Sequence, residues 1–127
     1  MLTRDLNNSG NKAQIKQIIA QNPGINLDVI GRGMADGLNT PLINAVQEKD
    51  VELVRLFLDN GADPNFVKGN GGTPAIEAAY YGCVECARLL KNKGANAKIK
   101  DTFNQDACHY ADRNPATSRE IKNIFGC

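Results

Sequence analysis

Residues 39–65, NTPLINAVQEKDVELVRLFLDNGADPN, and residues 71–97, GGTPAIEAAYYGCVECARLLKNKGANA, decide the fold. Thr40-Pro41-Leu42 in the first stretch stands 33 residues before Thr73-Pro74-Ala75 in the second. Ala45, Ala78 and Ala111 keep the same step, as do Gly61-Ala62 with Gly94-Ala95 and Val54/Phe57 with Ala87/Leu90. Self-similarity at this period means one small unit stacked on copies of itself, not a globule closed around a pocket. A chain of 127 residues holds about three to four such units in one domain.

Local chemistry fills in the unit. The Thr40 hydroxyl can accept a hydrogen bond from the open amides of a helix start, and Pro41 follows where its missing N–H costs nothing. An inner helix is therefore predicted over about 41–48, with Ala45 small enough to let the neighbouring unit approach. Asp50 caps an outer helix over 51–60, where Val51, Leu53, Val54, Phe57 and Leu58 recur at helical spacing. Gly61 closes it as a left-handed cap. The second unit repeats the scheme: Thr73-Pro74 open, Ala78 and Ala79 pack, Gly82 breaks, 84–93 form the outer helix and Gly94 closes. Ala62-Asp63-Pro64-Asn65 leads into an extended hairpin whose tip is Lys68-Gly69-Asn70-Gly71-Gly72.

These residues resemble the ankyrin-repeat pattern, almost throughout in the first stretch and closely in the second. The resemblance implies an all-α solenoid of helix-turn-helix units joined by β-hairpin loops. The ends depart from the pattern. Leu6, Gly10, Ile15, Ile18 and Ile19 match Ala45, Lys49, Val54, Phe57 and Leu58 at an offset of 39, and the surplus falls between Pro23 and Leu38. Asp106-Ala107-Cys108-His109-Tyr110-Ala111 replaces the threonine-proline turn, and Asn114-Pro115 starts a last helix carrying Ile121, Ile124 and Phe125. The expected division is a degenerate N-terminal capping repeat with a long loop over 1–38, full repeats over 39–71 and 72–104, and a C-terminal capping repeat over 105–127.

Fifteen basic residues against fourteen acidic ones make no general electrostatic case for nucleic acid or membrane. No apolar run approaches the roughly 18 residues of a bilayer span. The opening Met1–Asn8 lacks the apolar stretch of a secretory leader, so a cytoplasmic protein is the default expectation. The four cysteines are expected as free thiols, since Cys86 falls on a buried helix face and Cys108 stands where the first unit has Leu42.

In the architecture that the resemblance implies, inner helices and hairpin tips form a concave surface that grips a partner. The side chains directed there are Gln47 and Glu48, Tyr80 and Tyr81, Arg113 and Asn114 along the helices. At the hairpins they are Asp36, Val67, Asn70, Lys100, Thr102 and Phe103. Tyr80-Tyr81 is the leading pair, because tyrosine offers a large stiff contact with a polar end. The plainer alternatives are that one ring covers the next inner helix and that Phe103 covers the capping repeat.

Two function classes stay open on the sequence. The first is a non-catalytic module that binds another protein through its concave face, with no cofactor, monomeric when free, serving as a regulator, inhibitor or immunity-type protein. The second is a small thiol- or zinc-dependent protein using Cys83, Cys86, Cys108 and His109. His109 occupies the place where the family often has a turn-bonding histidine, and no serine or cysteine is placed by a motif to act as its nucleophile. Gly69-Asn70-Gly71-Gly72 lacks the lysine of a phosphate loop. Asp59, Gly61, Asp63 and Asn65 lack the remaining ligands of a calcium loop.

Overall fold

The structure, a computed structural model, describes residues 12–28 and 39–127. The readings placed on Leu6, Gly10, Asp36 and most of the Pro23–Leu38 connection lie outside them. The described elements are α1 (Lys12–Gln21), α2 (Pro41–Gln47), α3 (Val51–Asp59), α4 (Pro74–Tyr81), α5 (Val84–Asn92), α6 (Ala107–Ala111) and α7 (Pro115–Phe125). Helices α2, α4 and α6 form the inner row, and α3, α5 and α7 the outer row behind it. This is the all-α ankyrin stack that the sequence implies, and among the described residues the connecting fingers are turns rather than runs of strand.

Each inner helix starts on the same device. Thr40 Oγ1 accepts from the Ile43 amide and Thr73 Oγ1 from the Ile76 amide, both at 3.2 Å. Asp106 Oδ1 accepts from the His109 amide at 3.0 Å, so a carboxylate fills the slot of the two threonines. The backbone hydrogen bonds also recur one period apart. Asp50 N–H donates to Ala45 C=O at 3.0 Å and Cys83 N–H to Ala78 C=O at 2.9 Å. Ala62 N–H donates to Phe57 C=O at 3.0 Å and Ala95 N–H to Leu90 C=O at 2.9 Å. Matching bonds in matching places make the repeat a structural fact and satisfy amides that helix starts leave open and carbonyls that helix ends leave open.

Packing runs between units. Ala45, Ala78 and Ala111 are buried along the inner row, while Leu53, Val54, Phe57, Cys86, Ala87, Leu90, Ile121 and Phe125 fill the space behind it. Ile15 and Ile19 of α1 are buried at one end of the same core. Hairpin roots are stitched by short polar side chains: Asp28 Oδ1 accepts from the Asp63 amide at 2.8 Å, and Asn65 Oδ1 from the Asn96 amide at 2.6 Å. Gly71, at φ +85°, has room for no side chain, since a Cβ there would lie 2.8 Å from the backbone of Asp101 and Thr102. Hairpin tips therefore stack backbone to backbone at this point.

The cysteines correct the expectation of free thiols. Cys83 is bonded to Cys86 and Cys108 to Cys127, and no cysteine is left free. Positions three apart at a helix start share one face, which brings the Cα atoms of the first pair to 5.2 Å. For the second pair, α7 folds back along α6 and carries Cys127 to within 5.8 Å, Cα to Cα, of Cys108. Periodicity gave no hint of that pair, because neither full repeat has a cysteine at the positions matching Cys108 and Cys127.

A candidate binding face on the inner helices

Four large apolar side chains stand exposed among the described residues: Val67, Tyr80, Tyr81 and Phe103. All four sit on hairpin tips or at the end of α4, and none on an outer helix. Exposed apolar groups scattered singly need no explanation, but Tyr80, Tyr81 and Phe103 line one hollow.

Gln47, Asn70, Tyr80, Tyr81 and Phe103 line one hollow of about 350 Å³, together with Lys68, Gly72, Ile76, Glu77, Asp101 and Tyr110. Tyr80 meets Tyr81 edge-on at 5.1 Å between ring centres and Tyr110 at 6.0 Å. Both alternatives for the tyrosine pair are thus partly realised. Tyr80 leans on the next inner helix, yet it stays 44% exposed and Tyr81 36%. Phe103 is 75% exposed, so it does not serve as a cover for the last unit.

The remaining sequence-predicted positions spread around this hollow. The Arg113 guanidinium lies over the Tyr80 ring at 5.8 Å and the Tyr110 ring at 5.4 Å, in an adjoining recess. Asn114 turns inward: its amide donates to the carbonyls of Ala79, at 3.1 Å, and of Tyr80. It thereby satisfies the end of α4, where Gly82 stops the helix at φ +72°. Thr102 ties two hairpin tips, its amide and hydroxyl both donating to Asn70 C=O at 3.2 and 3.0 Å. Gln47 Oε1 accepts from Asn39 at 2.9 Å, and Glu48, Val67 and Lys100 are exposed.

Beneath the rings lies a polar floor that sequence reasoning missed. Lys68 and Glu77 form an ion pair at 3.0 Å with their side chains only 4% and 11% exposed. Lys68 Nζ also donates to Asn39 Oδ1 at 3.4 Å. One period on, Tyr110 donates its hydroxyl to Asp101 Oδ2 at 2.5 Å, while the amides of Phe103 and Gln105 donate to Oδ1. In both units a hairpin residue reaches the inner-helix residue nine positions later, which was the available signal. The hydrogen bond to Asp101, then burial, then the carboxylate's charge raise the Tyr110 hydroxyl to a pKa of about 12. For Asp101, burial pulls the other way, but the hydrogen bonds from Tyr110, Gln105 and Phe103 win and hold its carboxyl below the usual range.

The His109 ring stands edge-on to Tyr110 at 5.6 Å. All three sulfurs of the thiol or zinc alternative, those of Cys83, Cys86 and Cys108, are spent in disulfides, which leaves no thiolate there to bind a metal. Among the described residues no group of three or more histidine, cysteine, aspartate or glutamate side chains is placed to hold an ion. No described helix is long and apolar enough to cross a membrane.

A family model described as ankyrin repeats (3 copies) matches residues 6–118. The human 2-5A-dependent ribonuclease is 52% identical over 46 residues, covering 36% of this chain and 6% of that protein. The ankyrin repeat protein R664 of Acanthamoeba polyphaga mimivirus is 27% identical over 111 residues, covering 76% of this chain and 68% of its own length. The crystal structure of the ankyrin repeat domain of Bcl-3 superimposes with a TM-score of 0.76 at 22% identity, over 95% of this chain and 49% of that one. The chain spans only 4% to 26% of the plant and mammalian relatives it matches.

Proposed function

This chain belongs to the ankyrin-repeat family, and on that premise we propose that it is a non-catalytic module which docks one partner protein on its inner-helix face. Ankyrin repeats generally mediate protein–protein interaction. The single observation that carries the reading is the gathering of Tyr80, Tyr81 and Phe103, all exposed, around one hollow beside α4. Aromatic anchors held by a rigid scaffold lose little freedom on binding, and a standard interface buries roughly 800 Å² per partner.

The finer reading is a monomeric protein of the cytoplasm, with 39–71 and 72–104 as full repeats between the two caps. It acts by blocking or stabilising one partner, as a regulator, inhibitor or immunity-type protein. Near-neutral charge argues against nucleic acid as that partner. The activities named in its relatives belong to those longer proteins.

Capture from the native source, read by mass spectrometry, tests this with the double variant Tyr80→Ala/Tyr81→Ala. Both rings are exposed, so helical circular dichroism should persist while partner affinity falls more than about tenfold. Unchanged affinity would place the interface elsewhere.

A further inference from the structure

We propose that the hollow beside α4 takes the side chain of an arginine from an extended segment of the partner. This rests on the docking reading above and adds the chemistry of the anchor.

The lining decides the charge. Two carboxylates, Glu77 and Asp101, face one ammonium, Lys68, which is already committed to Glu77 at 3.0 Å and Asn39 at 3.4 Å. Among the described lining residues one negative charge is left in excess. Around it stand the rings of Tyr80, Tyr81, Phe103 and Tyr110, whose faces attract cations. An anion would meet that excess charge with its nearest cation occupied. An aliphatic anchor would leave the carboxylates with only their present donors and add no charge to offset the excess. A guanidinium satisfies both demands, since it lies flat against aromatic faces and donates to carboxylates in a fork.

The molecule already contains this interaction. Arg113 rests over Tyr80 at 5.8 Å and Tyr110 at 5.4 Å from the adjoining recess. The hollow presents the same two rings together with Tyr81 and Phe103, and among the described residues no guanidinium lines it. At about 350 Å³ it stands at the small end of ligand sites, room for one long side chain but not for a helix. The walls come from a hairpin tip and a helix end, so the segment carrying the arginine crosses the stack in extended form.

The test is an NMR titration of the isotope-labelled protein with four capped tripeptides, acetyl-Gly-X-Gly-amide, where X is arginine, citrulline, leucine or glutamate. Citrulline keeps arginine's shape without its charge. The arginine peptide should shift the amides of Ile76, Glu77, Tyr80, Tyr81, Phe103 and Tyr110, and bind about fivefold or more tightly than the citrulline peptide. Its affinity should fall with added salt, and by about threefold in Tyr81→Ala or Phe103→Ala, both exposed positions where the fold tolerates truncation. Equal binding of citrulline, tighter binding of leucine or glutamate, or no shift with arginine overturns the proposal. None of those results touches the docking reading, which the capture experiment with Tyr80→Ala/Tyr81→Ala decides by itself.

Discussion

Replacing Cys127 by serine removes one covalent staple and leaves every packed side chain in place. The bond to Cys108 closes a loop with a sequence separation of 19. In the chain-entropy treatment a loop of that length restrains the unfolded chain by about 3 kcal/mol at 25 °C. The unfolding entropy of a chain this size is about 0.27 kcal/mol per degree, so Cys127→Ser should lower Tm by about 10 °C. The Cys83–Cys86 bond closes a separation of only 3, and the same treatment gives about 1.5 kcal/mol. Serine at position 83 would moreover keep an oxygen to accept from the Cys86 amide, as the Cys83 sulfur now does at 3.2 Å. The larger loss therefore belongs to Cys127→Ser. Thermal unfolding followed by circular dichroism, with and without reductant, measures both. A Tm for Cys127→Ser within about 2 °C of the parent, or a parent indifferent to reductant, would refute the reasoning.

Two further outcomes are expected. Phe57→Ala opens a cavity in the core between units and should cost about 3–5 kcal/mol in urea denaturation, whereas Phe103→Ala, at 75% exposure, should stay within about 0.5. Absorbance at 295 nm should show one of the three tyrosines ionising near pH 12, and Tyr110→Phe should remove that step. The Tyr110 hydroxyl is raised above its ordinary 10.0, so its share of stability is complete below pH 10 and is lost as pH rises towards 12. Asp101, held low, contributes above its ordinary 3.8 and loses that contribution in stronger acid.

The fold was legible because it is written in local chemistry that recurs. Thr40 and Thr73 cap helices wherever the chain places them before proline, and Gly82 stops a helix by its own backbone freedom. The face was legible in part for the same reason: Tyr80 and Tyr81 follow from counting along α4. What the sequence hid are contacts made across units. Asn114 resembles a helix cap that points outward, but its amide is consumed by α4 carbonyls 34 and 35 residues earlier. Lys68 and Glu77 look like separate surface charges until the stack lays a hairpin against an inner helix. The Cys108–Cys127 disulfide escaped for a related reason, since its cysteines meet only when α7 returns along α6.

The most direct measurement is hydrogen exchange across the whole chain with the captured partner bound. The account predicts new protection in the hairpin tips 66–71 and 101–105 and at the exposed ends of α4 and α6, with the outer helices α3, α5 and α7 unchanged. Protection confined to those outer helices would contradict it, because the partner would then be seated on the back of the stack.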